Sequence, residues 1–216
     1  MITRPTFDLQ YLESEVRQRA EAQAIKPQIW AQFMIELATL KDHNDFMYTH
    51  SLRVGIYAYG IAVQEGSTNQ KLALFGGCGH DIGKCEVSNL LLDSKNLTAV
   101  EFELIKKHSS EGYERFKDSF LFTGYIAGLH HKYKVGGYGI DLDTEPPYPL
   151  SDESKAAIKA TAQLVMICDF FDALTTRDND KGFITNPDDP TEQTEVMTKH
   201  FPHESARIAW LVEHRI

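Results

Sequence analysis

The chain has 216 residues, with 22 Lys plus Arg against 31 Asp plus Glu for a formal charge of −9, and is 42% hydrophobic and 25% charged. These figures exclude a disordered chain, collagen and a long coiled coil, and they fit one globular domain spanning residues 1–216. The acidic balance argues against a broad basic face for nucleic acid. The compositional excess is in histidine, of which there are nine.

Cys78, Cys85 and Cys168 are scattered, with no CxxC pair, so neither a disulfide framework nor a thiolate zinc site is expected and a reducing cytoplasm fits best. No apolar run approaches the ~18 residues of a membrane span, so no membrane association is expected.

The apolar residues recur with a helical period nearly throughout, which predicts an all-α fold: a helical bundle with extra helices at both ends. The first helix spans about Asp8 to Ala24 and carries Glu13, Glu15, Arg17, Arg19 and Glu21 on a solvated face. Pro27 opens a second, in which Ile29, Phe33, Met34, Leu37 and Leu40 keep i, i+4, i+5, i+8 spacing. These helices, 8–40, precede a core placed at 44–180. A third runs from about Asn44 to Glu65 with His50, Val54, Tyr57, Ala58 and Ile61 on one face, and a fourth from Asn69 to Gly79 runs into His80-Asp81. Thr98 and Glu101 form a capping box that starts a helix carrying Phe102, Ile105 and His108. A helix from Phe120 to His131 follows, with Phe116, Phe120, Phe122 and Tyr125 read as core packing. Residues 133–152 concentrate Gly, Pro and Asp and are a candidate functional loop. Ser151 caps a helix that reaches Asp169, and after a polar loop at 176–190 two short helices occupy 191–215.

Five histidines and two aspartates fall where helices bury apolar groups: His50, His80-Asp81, His108, His130-His131 and Asp169. Taken singly, each is most simply a satisfied core or surface residue. Together they are hard to satisfy without cations, because isolated buried carboxylates are too costly to desolvate. Neutral imidazole suits borderline transition metals, and the two oxygens of an Asp can bridge two ions some ~3.5 to 4 Å apart that clamp a phosphoryl group. Adjacent residues on an ideal helix point about 100° apart, which places the doublets at helix ends where the chain bends.

Four ordered blocks, HDIGK (80–84), LTAVEFELIKKHSSEG (97–112), HHKYKVGGYG (130–139) and ICDFFDALTTR (167–177), resemble the HD superfamily of metal-dependent phosphohydrolases, and the added histidines resemble its HD-GYP branch. The resemblance implies one ion held by His50, His80, Asp81 and Asp169, and a second held by Asp81, His108, His130 and His131. It implies two divalent transition ions (Fe, Mn, Ni, Co or Zn), a shared hydroxide, and hydrolysis of a cyclic dinucleotide such as c-di-GMP. Asp81 and Lys84 would be catalytic, and Lys84, Gly137, Tyr138 and Arg177 would contact substrate. The family loop HHExxDGxGYP is altered here: Lys132 replaces Glu, Val135 replaces Asp, and Gly137-Tyr138-Gly139 replaces GYP. The alternatives are therefore another nucleotide or phosphate ester, an HD nuclease acting on single-stranded DNA, or a non-catalytic nucleotide-sensing scaffold. Phe46 stands where some members carry a Glu ligand, so a third ion is not expected.

Gly79 to Lys84 is not a P-loop, since three residues separate its glycines where four are required and Cys85 stands in place of Ser or Thr. Cys78 and Cys85 read as small buried core residues. Asp172 is either a carboxylate orienting a ligand histidine or a helix-end residue. His43, His200, His203 and His214 are expected to face solvent.

Overall fold

The computed structural model describes residues 8–94, 96–143, 149–176 and 183–216, and among them there is no β-strand. The helices are α1 (Leu9–Ala22), α2 (Pro27–His43), α3 (Asp45–Gln64), α4 (Gln70–Gly79), α5 (Asn89–Leu92), α6 (Ala99–Lys106), α7 (His108–Phe116), α8 (Leu121–Leu129), α9 (Asp152–Thr176), α10 (Pro190–His200) and α11 (Ser205–Glu213), with a 3₁₀ turn at Ile82–Glu86. No helix among the described residues is long and apolar enough to cross a membrane.

Local chemistry accounts for most boundaries. Asp8 accepts from the amides of Gln10 and Tyr11 at the start of α1, Pro27 occupies the first turn of α2, and Asn44 accepts from Met47 N at the start of α3. Ser151 Oγ accepts from Ser154 N at 3.1 Å, and Asp152 and Glu153 follow in the first turn of α9. The capping box closes in both directions: Glu101 N donates to Thr98 Oγ1 at 3.2 Å and Thr98 N to Glu101 Oε2 at 2.8 Å. Because α6 buries no residue, this cap carries much of its order. Thr98→Ala is expected to cost about 1 kcal/mol, read as a roughly fivefold faster hydrogen exchange at the Glu101–Lys106 amides. Unchanged protection there would refute it.

Helices α3 and α4 form the centre. One core lies between them and α8, α9, α10 and α11, built on Val54, Tyr57, Ile126, Val165 and Phe171. A second, on the side facing α1, α2 and α7, is built on Leu12, Phe33, Leu37, Leu52 and Phe116. Close approach of α3 and α4 depends on glycine, since a Cβ on Gly77 would lie 2.6 Å from Gly55 Cα. Gly83 plays the same part for the 3₁₀ turn, where a Cβ would strike the backbone carbonyl of His108. These two contacts bring the α4 C-terminus, and with it His80-Asp81, against the start of α7.

Five expectations are corrected. The helix beginning at Thr98 does not carry His108: it ends at Lys106, and His108 opens a separate helix. The break re-aims His108 inward while Phe102 and Leu104 stay 40% and 44% exposed. Helix α9 continues seven residues past Asp169, to Thr176. Cys85 is only partly buried, with its thiol 3.6 Å from Thr39 Oγ1. His43 is also partly buried, its Nε2 2.8 Å from Val87 O, whereas His200, His203 and His214 are exposed. Phe122 lies at the surface, while Phe116 and Tyr125 are core.

Candidate metal centre

Helices α3, α4, α7, α8 and α9 deliver the ligand candidates to one place. His50 projects from the middle of α3 and Asp169 from α9, while His80 caps α4 and Asp81 precedes the 3₁₀ turn. His108 opens α7, and His130 and His131 follow the last residue of α8. As expected for doublets, both histidine-containing pairs sit where a helix stops and the chain turns.

Four of the five rings are oriented by a second interaction at Nδ1. His80, His108 and His130 each place Nδ1 2.7 Å from a backbone carbonyl, of Gly77, Ile105 and Ala127 respectively. His50 places Nδ1 2.7 Å from Asp172 Oδ2. A carbonyl or carboxylate oxygen only accepts, so Nδ1 carries a proton and Nε2 is the nitrogen that each ring turns into the site. His131 differs, because its Nδ1 accepts from Lys134 Nζ at 3.2 Å.

The Nε2 lone pairs converge on Asp81. Its Oδ2 lies 3.4 Å from His50 Nε2 and 3.3 Å from His80 Nε2, and its Oδ1 lies 3.4 Å from His108 Nε2 and 3.8 Å from His130 Nε2. Asp169 Oδ1 joins the first pair at 3.1 Å from His50 Nε2. Among the described residues, two groups have ligand atoms within 4.8 Å of one another: His50, His80, Asp81 and Asp169, and His108, His130 and His131. The structure therefore brings the seven predicted ligands together in two groups, with one Asp81 oxygen facing each.

This arrangement fits cations. His50 Nε2, His80 Nε2 and Asp81 Oδ1 are fully buried without a hydrogen-bond partner, a costly state for polar groups. His108 Nε2 and His130 Nε2 lie 3.4 Å apart, lone pair to lone pair. Burial lowers the pKa of His108 to about 4 and holds His130 and His131 well below the ordinary value, keeping all three neutral. Burial also disfavours charge on His80, but Asp81 and Asp169 outweigh it and raise its pKa to about 10. Both carboxyls overcome their own burial and stay ionised beside Lys84 and the two rings. Divalent cations would compete with protons for these lone pairs.

Behind the ligands lies a supporting chain that sequence reasoning found only in part. Asp172, left open between two roles, sits inside α9 and orients His50. It also accepts from Arg53 Nε at 2.6 Å and Nη2 at 2.9 Å. Arg53 was missed. Its signal was a charged residue three positions after His50 within the apolar run of α3. Lys84 stands inside the site: it is 7% exposed and donates to Asp81 Oδ2 at 2.5 Å.

The loop after α8 folds back over the ligands. Tyr138 N donates to His131 O at 3.2 Å and Ile140 N to Gly128 O at 3.0 Å, which seats the Tyr138 ring 4.7 Å from that of His131. Gly137 is needed there because a Cβ would meet the carbonyls of His131 and Lys132. Arg177 lies outside the described residues, as do positions 144–148 of the predicted functional loop.

A family model described as HD domain matches residues 47–174, within the core expected at 44–180. A comparison with curated proteins finds no match. Matching more than half of the chain and enclosing all seven candidate ligands, the family model establishes that this protein belongs to the HD domain family, whose members are typically metal-dependent phosphohydrolases.

Proposed function

We propose that the protein is a phosphodiesterase of the HD-GYP type that cleaves a cyclic dinucleotide of the c-di-GMP kind, using two divalent transition ions. The observation that carries this reading is the convergence of four Nε2 atoms on the two oxygens of Asp81, those of His50 and His80 being buried without a hydrogen-bond partner. His50, His80, Asp81 and Asp169 would hold one ion, and Asp81, His108, His130 and His131 the other. Ions bound there supply a nucleophile near neutral pH and Lewis acidity toward phosphoryl oxygens.

The chain's own residues do the positioning. Backbone carbonyls and Asp172 fix four rings before substrate arrives, which removes reorganisation from the reaction. Lys84 neutralises part of the negative charge that Asp81 and a phosphate would share. Gly137 and Tyr138 line the mouth, and Arg177 is the further proposed phosphate contact. The flanking helices belong to the same unit, since α1 and α2 share a core with α3 and α4.

A second reading, hydrolysis of another nucleotide or phosphate ester, is favoured by the altered loop: Lys132, Val135 and Gly139 stand where the HD-GYP loop has Glu, Asp and Pro. A non-catalytic nucleotide sensor is the third. Purified protein loaded with Mn²⁺ or Fe²⁺ is expected to hold two equivalents by elemental analysis and to convert c-di-GMP to a linear product. Two equivalents with no product from c-di-GMP, but turnover of a cyclic mononucleotide or dNTP, would transfer the assignment to the second reading. No turnover of any of them would leave the sensor.

A further inference from the structure

Helices α4, α8 and α9 border a groove of about 900 Å³, within the ~300–1,000 Å³ range of small-molecule sites. Each of them runs from this groove to the ligand groups. Asn69, Lys71 and Leu72 at the start of α4 line it, as do Leu121, Phe122 and Thr123 at the start of α8. The opposite ends of these two helices are capped by His80 and His130. On α9 the groove is bordered by residues from Glu153 to Ala160, and Asp169 lies more than two turns farther on. None of the seven candidate metal ligands lines the groove, so it is a feature separate from the metal centre.

The walls are mainly apolar. Phe75 and Phe120 stack with ring centres 5.9 Å apart, and Ile29 and Phe122 beside them stay 44% and 38% exposed. Ala156, Ala157 and Ala160 leave the α9 side without bulk that would fill the space. The polar features all favour an anion. Neither α4 nor α8 has a side-chain cap at its N-terminus, so the first-turn amides keep their donors and their partial positive charge. Thr123 is only 4% exposed, yet its hydroxyl has no hydrogen-bond partner among the described residues. Its methyl is turned to α4, where a Cβ on Gly79 would meet Cγ2 at 2.7 Å. A hydroxyl buried in this way is costly until a partner completes it. Lys71 is exposed and forms no ion pair among the described residues. Glu153 also borders the groove, but it is exposed in the first turn of its own helix, whose amides offset its charge. Uncapped amides, an unpartnered hydroxyl and a cation over an apolar floor match a ligand with an anionic head and an apolar tail.

We propose that this groove binds a small amphipathic carboxylate, its head on the first turn of α8 with Thr123 and Lys71, and its tail over Phe75 and Phe120. The test is calorimetric titration of the metal-loaded full chain with decanoate and with decyltrimethylammonium, both below their micelle concentrations. Helical circular dichroism and metal content are recorded for every protein. The wild type is expected to bind one decanoate, about tenfold or more tighter than the cation of the same tail. Thr123→Val with Lys71→Met preserves the shape and removes the hydroxyl and the charge. It is expected to weaken decanoate binding about tenfold or more without weakening that of decyltrimethylammonium and with metal content unchanged. Ala157→Trp fills the groove from α9 and is expected to abolish decanoate binding. No uptake of decanoate by the wild type, equal affinity for the two probes, or a folded variant of either kind that binds decanoate as the wild type does overturns the site. Because none of the altered residues is a candidate metal ligand, a wild type that holds two ions but takes up no decanoate leaves the phosphohydrolase reading standing.

Discussion

Asp81→Ala is expected to abolish metal-dependent turnover and to remove both ions rather than one. The reason is geometric: Oδ2 faces His50 and His80, and Oδ1 faces His108 and His130. Metal-assisted stabilisation is worth several kcal/mol, and at about 1.4 kcal/mol per decade its loss amounts to on the order of 10³-fold in kcat or more. Elemental analysis should fall from two equivalents per chain to below one, with helical circular dichroism retained. Asp169→Ala is the informative contrast, since it belongs to one group alone and should spare the other ion. Full metal content in the Asp81 variant, with activity intact, would remove the basis for a shared centre.

Arg53→Leu is expected to destabilise the metal-free protein by about 3–5 kcal/mol, because it strands the Asp172 carboxylate in a fully buried position. Burial opposes ionisation of Asp172, but the Arg53 guanidinium and His50 hold its pKa at about 2. With an unfolded value of ~3.9, this depressed group contributes stability that is complete above about pH 4 and is lost as pH falls toward 2. The cost of Arg53→Leu should therefore be largest at neutral pH and should shrink below about pH 4, measured by urea denaturation at several pH values. Adding Asp172→Leu should recover much of the stability, since a buried pair can be replaced by apolar groups at little cost. The same double variant should still lose 10–100-fold in metal affinity, because His50 no longer has its Nδ1 anchor. A single variant as stable as the wild type at pH 7 would refute the buried ion pair.

Much of the architecture was legible because it is written in short-range chemistry. Asp8, Pro27, Asn44, Thr98 with Glu101, and Ser151 announce helix starts through side-chain acceptors or a fixed φ, and all five do so in the structure. The ligand types were legible for a similar reason, since buried His and Asp at inward helical positions stand out against an apolar face. The break at Lys107 was not, because the apolar spacing of Phe102 and Ile105 runs on into His108 as if one helix continued. Only packing of the 3₁₀ turn on His108, permitted by Gly83, turns α7 away from α6.

By itself, then, the sequence determined the helical class, the capped helix starts and the seven residues able to ligate metal. Only the tertiary structure decided which oxygen of Asp81 faces which group, that Asp172 anchors His50 from 122 positions away, that Lys84 is turned inward, and that α4, α8 and α9 border one groove. Caps and periodicity depend on neighbours within a turn or two, whereas the direction of a lone pair and the partner of a buried charge depend on elements far apart in the chain.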